Sequence, residues 1–115
     1  MKKYNFPIEA TLDVVGGKWK VVLLCILLNG KKRTSEIKRA MPSITQKMLT
    51  QQLRELEADG IINRTVYNQV PPKVEYSLSE YGKSLTPVLD CMCEWGKNHI
   101  QKQLEETDNG IKCNH

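Results

Sequence analysis

Apolar positions recur at helical spacing through most of this chain and switch to strict alternation between Ile62 and Leu78. Recurrence at i, i+3 and i+4 marks a helix with one buried stripe, and a period of two marks a half-buried strand. Ile8 to Val15 reads as a short helix that Gly16-Gly17 ends. Lys18 to Leu28 reads as a second helix, apolar nearly all round through Trp19, Val21, Val22, Leu23, Leu24, Ile26 and Leu27. Such a helix belongs at the centre of a core. Asn29-Gly30 closes it. Thr34 or Ser35 caps a third helix running to Met41, which buries Ile37 and Met41. Pro42-Ser43 predicts a tight turn.

The fourth helix has the clearest punctuation. Thr45 is its N-cap, and Ile44 before it staples onto Leu49. Gly60 supplies the left-handed C′ residue, with Ile61 folding back onto Leu56. Leu49, Leu53 and Leu56 fall on one stripe, and Gln46, Lys47, Thr50, Gln51 and Arg54 fall opposite. After Gly60, Ile62, Arg64 and Val66 alternate with Asn63, Thr65 and Tyr67. Beyond the turn-rich Asn68 to Pro72, Val74, Tyr76 and Leu78 alternate with Lys73, Glu75 and Ser77. Two alternating runs about such a link predict a β-hairpin. Ser79 caps a last helix with Glu80 in its first turn. Leu85, Val88, Leu89, Met92, Trp95 and His99 share one stripe there, and Pro87 is expected to kink or split it. From Glu105 onward the chain is polar and no element is expected, so residues 1–104 form the domain and 105–115 a tail.

Helix, tight turn, helix, hairpin is the order of a winged helix-turn-helix. The expected class is therefore α+β, mostly helical, with a two-stranded β-hairpin wing. A length of 115 residues fits one domain. The formal net charge of +4 is unevenly placed. Lys31 to Lys73 holds nine bases against four acids, leaving +5 there and −1 elsewhere. Positive charge gathered in the middle favours a polyanionic partner, against the plainer reading of a solvated face.

The polar side of the fourth helix has the inventory of a base reader. Amides pair bidentately with adenine, and Arg or Lys with guanine, in the major groove of duplex DNA. Gln46, Lys47 and Gln51 are the candidates for base edges; Ser43, Thr45, Thr50 and Arg54 are candidates for backbone or mixed contacts. In the hairpin, Arg64, Asn68, Gln69 and Lys73 are placed for the minor groove or for phosphates. Lys32 and Arg33, with Lys31, Lys38 and Arg39, add phosphate neutralisation and salt dependence.

The four cysteines do not form a disulfide framework. Cys25 lies in the apolar run of the second helix and is expected to be buried, and Cys91 and Cys93 diverge two residues apart on the last helix. Thiols of this kind imply a reducing, cytoplasmic compartment. The longest apolar run, Val21 to Leu28, falls short of the roughly 20 residues of a membrane helix. The two N-terminal lysines precede no apolar stretch, so no signal peptide is expected. No nucleophile–base pair, phosphate loop or supported pair of carboxylates points to catalysis. Metal ligands are sparse, with Cys113 and His115 in the tail, and no cofactor is expected.

The stretches "PIEATLDVVGGKWK", "MPSITQKMLTQQLRELEADGIINR" and "VPPKVEYSLSEYGKSL", with "EWG" later, resemble the HxlR-type family of bacterial transcriptional regulators over residues 6 to 100. The resemblance implies a sequence-specific DNA-binding regulator acting as a homodimer on a pseudo-palindromic operator. It also implies that the terminal helices form the dimer interface, which places Ile8, Leu12, Leu85, Leu89, Met92 and Trp95 at or near the partner. For Leu12 and Leu85, packing within one subunit is an equal alternative. Many members of that family sense oxidants through a cysteine before an N-terminal proline, whereas this chain has Phe6 before Pro7. Redox control would then fall to Cys91 and Cys93. The alternatives are a small-molecule, redox or metal sensor of the same architecture, or a module for protein or RNA.

Overall fold

The computed structural model describes residues 3–108. Its elements follow in the order α1 (Pro7–Val15), α2 (Lys20–Leu27), β1 (Lys32–Arg33), α3 (Thr34–Ala40), α4 (Gln46–Ala58), β2 (Ile62–Tyr67), β3 (Lys73–Leu78), α5 (Glu80–Lys83) and α6 (Thr86–Asp108). The chain divides into two units, one through Leu85 and one from Thr86 onward.

Local chemistry sets the helix boundaries. Pro7 opens α1, where a missing N–H costs nothing. The Glu9 carboxylate accepts hydrogen bonds from the N–H groups of Asn5 and Phe6 at 2.7 and 2.8 Å. Gly17, with φ +85°, turns the chain toward α2 in a conformation that favours glycine. Helix α2 is shorter than the pattern predicts and is not buried all round. Leu23, Leu24 and Leu27 are in the core, Trp19 is half-buried at the N-cap, and Val22 is exposed. Cys25, expected to be buried, is half-buried.

Thr34 and Ser35 do not cap α3. They lie in its first turn, and Glu36 reaches back to the Arg33 N–H at 2.8 Å. Ile37 and Met41 are buried. In α4 the Thr45 hydroxyl accepts the Met48 N–H at 3.1 Å, and Ile44 and Leu49 are both buried. At the other end Ile61 N–H reaches the Leu56 carbonyl at 3.0 Å and Gly60 N–H the Glu57 carbonyl at 2.9 Å, with Gly60 at φ +76°. These are the paired bonds of a Schellman ending.

The hairpin pairs β2 with β3 in antiparallel register, Ile62 opposite Leu78, Arg64 opposite Tyr76 and Val66 opposite Val74. A third strand joins it that periodicity does not reveal. Lys32 pairs with Tyr76 and Arg33 with Glu75, giving the order β1-β3-β2. Two residues are too short for any alternation, so only the tertiary partner defines that strand. Helix α4 packs on β2, and α2 and α3 pack on β3. The core collects Leu23, Leu24, Ile37, Leu49, Leu53, Leu56, Ile61, Ile62 and Leu78.

Pro87 coincides with a split. The expected last helix is two, α5 with Ser79 as N-cap and α6 with Pro87 at its second position. A proline there leaves no helical hydrogen bond unmade. Helix α6 continues past Glu105 to Asp108, further than the polar composition suggests. Cys113 and His115 lie outside the described residues. Together these elements form a mostly helical winged helix-turn-helix with a three-stranded antiparallel sheet.

Ser79 joins the two roots of the β2–β3 hairpin. Its hydroxyl donates to the Gly60 carbonyl at 2.6 Å and accepts the Gly82 N–H at 2.9 Å. Gly82 backs directly onto the Ile61 carbonyl, with no room for a Cβ. Gly82→Ala is expected to push α5 off the end of α4 and to cost about 2 kcal/mol or more, in the range of overpacked buried sites. Urea unfolding checks this, and a midpoint equal to that of the parent chain would refute the close approach.

Candidate nucleic-acid interface

With Leu49, Leu53 and Leu56 buried on one side of α4, its remaining residues are turned outward. Gln46, Lys47, Gln51 and Arg54 are exposed and Thr50 is half-buried. With Glu55 they line a shallow groove of about 490 Å³ along the helix. All five positions assigned to the polar face are therefore brought together, four of them exposed.

Two of the amides are oriented. The Gln51 side-chain N–H donates to Glu55 at 3.1 Å, and Lys20 of α2 binds the same carboxylate at 2.6 Å. The chain Lys20–Glu55–Gln51 thus ties the outer face of α4 to α2. An amide nitrogen has two hydrogens, so Gln51 keeps one donor and its carbonyl for a partner. The Gln46 amide donates to the Thr50 hydroxyl at 3.4 Å. The Thr45 hydroxyl oxygen accepts the capping bond at the edge of the same face. Ser43 is exposed in the turn before it.

The wing brings its candidates to different places. Asn68 and Gln69 are exposed in the β2–β3 connection beside Val70, which is fully exposed. Arg64 is exposed on β2. Lys73 is more constrained than its sequence position suggests. It pairs with Glu75 at 3.3 Å and lies 5.1 Å from the centre of the Tyr67 ring. Arg33 is exposed and Lys32 half-buried on β1, which leads directly into α3 with Arg33 at its N-cap. Tyr76, which alternation marks only as a strand residue, lines a hollow shared with α4.

Apolar side chains are left uncovered at both ends of the chain. On α1, Ile8 and Leu12 are exposed; on α6, Met92 and Trp95 are exposed, and the Trp95 ring stacks on His99 with centroids 5.1 Å apart. Leu85 is half-buried. Leu89 is fully buried. Cys91 and Cys93 are exposed thiols on α6. Among the described residues no group of three metal-ligating side chains occurs, and no helix is long and apolar enough to cross a membrane.

A helix-turn-helix whose second helix presents amides and cations beside a β-hairpin defines a DNA-binding protein of the winged-helix class. The chain belongs to the HxlR-like helix-turn-helix family, whose model matches residues 14–104. It is 72% identical to the HTH-type transcriptional regulator YtcD of Bacillus subtilis (strain 168) over 106 residues, which span 92% of this chain and 84% of that one. It is 56% identical to the regulator YkvN of the same organism, over 96% of this chain and 94% of the other. Among solved structures, that of YtcD superposes with a TM-score of 0.80, covering 84% of this chain and 98% of that chain. The redox regulator HypR in its reduced form, 58% identical, gives 0.82 and covers 88% of this chain and 99% of its own.

The Glu55 carboxyl is held below its ordinary value of 4.5 by the hydrogen bond from Lys20, then by that from Gln51, then by the Lys20 charge. A depressed folded value stabilises the protein above the unfolded value and is lost as pH falls through the folded one. The difference in melting temperature between the parent chain and Glu55→Gln is therefore expected at neutral pH, should shrink as pH falls below about 4.5 and should close once pH has passed the lower folded value. A difference that persisted unchanged into acid would show that the Lys20–Glu55 pair does not act as described.

Proposed function

We propose that this chain is a sequence-specific transcription regulator that binds duplex DNA as a homodimer, one recognition helix α4 in each of two successive major grooves. The observation that carries the reading is the single exposed face of Gln46, Lys47, Thr50, Gln51 and Arg54, turned outward by the burial of Leu49, Leu53 and Leu56. Two half-sites about one helical turn apart, roughly 34–36 Å, would match a two-fold protein. The exposed Ile8, Leu12, Met92 and Trp95 supply apolar surface for a second copy. Leu85 is half-buried and Leu89 fully buried, so each adds little to that surface. Whatever changes the separation of the two α4 helices would change affinity, since DNA fixes the spacing.

The contacts sort by what they read. Gln46, Lys47 and Gln51 face base edges; Lys32, Arg33, Ser43, Thr45, Thr50 and Arg54 hold the backbone, together with Arg64, Asn68, Gln69 and Lys73 of the wing. The reading places the protein in the compartment that holds DNA.

A second reading, control by a small molecule, has one feature in its favour. Tyr4, Ala10, Thr11, Val14, Ile61, Tyr81, Ser84 and Leu85 line a hollow of about 270 Å³ between α1 and α5. A ligand-dependent change in duplex affinity that survives replacement of all four cysteines by Ser is its expected sign. A response lost with the cysteines would assign control to a thiol instead.

Titration of labelled duplexes is expected to show tight, sequence-dependent binding that weakens steeply with salt, and weaker binding to RNA of the same sequence. Gln51→Ala should relax base preference by about 1–3 kcal/mol at one position, while Lys32→Ala should weaken all sequences alike. Equal affinity of the parent chain for every duplex would reduce it to a nonspecific binder. Trp95→Ala should raise the dimer dissociation constant by about tenfold or more, as loss of a buried aromatic anchor does. Sedimentation equilibrium at several concentrations checks this, and an unchanged dimer would remove Trp95 from the interface.

A further inference from the structure

The sheet places three side chains in one row. Lys32 is opposite Tyr76, and Tyr76 is opposite Arg64. Directly opposed residues project from the same face of a sheet. There Tyr76 and Arg64 meet Thr50, Arg54 and Glu57 of α4 around a hollow of about 370 Å³. Thr50, Arg54 and Glu57 follow one another at i, i+4 and i+7, so they form one helical stripe. Arg54 and Arg64 are exposed, and neither is paired with a carboxylate among the described residues. Two guanidinium groups from separate elements thus line one hollow, with Glu57 as the single acid there. Their mutual repulsion is relieved when an anion enters, and the planar fork of each group suits phosphate oxygens.

We propose that this hollow seats one DNA backbone phosphate, held jointly by Arg54 of the recognition helix and Arg64 of the wing, with the hydroxyls of Tyr76 and Thr50 as neutral donors. The inference rests on the proposed duplex binding and adds to it a shared site and a role for Tyr76. Its consequence is mechanical. A phosphate bound by both elements locks the wing to α4, so α4 docks at one depth and one angle. The seat carries no base information. Glu57 sits in the hollow as a counterweight that weakens phosphate binding.

The test uses the full chain and a mixed-sequence B-form duplex several helical turns long. Arg54→Gln and Arg64→Gln are each expected to weaken binding about tenfold and to lower the salt slope by about one, without altering base preference. Because they share one phosphate, the double variant should weaken it well short of the roughly hundredfold that independent contacts would give. Tyr76→Phe keeps the ring, leaves the salt slope unchanged and should weaken binding about threefold, of the order of one lost neutral hydrogen bond. Glu57→Gln should tighten binding on every duplex. Additive arginine effects, or a Tyr76→Phe chain with parental affinity, would overturn the shared seat while duplex binding stood. A parent chain that bound no duplex would remove the functional reading and the seat with it. Inorganic phosphate replacing chloride at constant ionic strength is expected to weaken duplex binding of the parent chain more than that of the double arginine variant, and an equal effect on both would overturn the seat.

Discussion

The rotation of α4 about its own axis is fixed by the burial of Leu49, Leu53 and Leu56, and everything else in the site follows from that setting. Three leucines removed from water favour one orientation by several kcal/mol, at about 25 cal/mol per Å² of apolar area. A helix has no freedom to choose its outer face once its inner face is taken. Gln46, Lys47, Gln51 and Arg54 are outside because the leucines are inside. The polar contacts refine this orientation without creating it. Lys20 reaches Glu55 from α2, and Glu55 in turn orients Gln51. The ion pair is partly exposed, so its worth is small in energy and larger in geometry.

The ends of α4 convert that orientation into a placement. Ile44 and Thr45 fix how the chain enters, and Gly60 and Ile61 fix how it leaves toward β2. Ser79 then closes the hairpin back onto the same turn through the Gly60 carbonyl. The wing is therefore held at both of its roots, and the sheet row of Lys32, Tyr76 and Arg64 stands beside α4 in a defined register. Helix and wing form one unit in which a contact made by either restrains the other.

What the sequence disclosed was local. Caps, a left-handed glycine and a leucine stripe are written in neighbouring residues, so α4 was legible almost to the residue, and so was the alternation of β2 and β3. What it concealed depends on distant partners. Strand β1 is two residues that exist as a strand only because Tyr76 and Glu75 pair with them. Thr34 and Ser35 look like caps, yet the sheet draws Arg33 into that place and Glu36 completes the bond. The polar face of the candidate site was legible because it is the complement of a stripe. The convergence of Arg54, Arg64 and Tyr76 was not, because it joins residues that no period connects.

The proposed dimer makes the distance between two α4 helices the quantity under control. The most direct measurement is a hydroxyl-radical footprint of this chain on duplexes selected from a random pool for tight binding. The account predicts an inverted repeat whose two halves are centred about 10–10.5 base pairs apart, each protected on the same face of the duplex. A selected pool with no shared sequence, or uniform protection around the duplex, would contradict it.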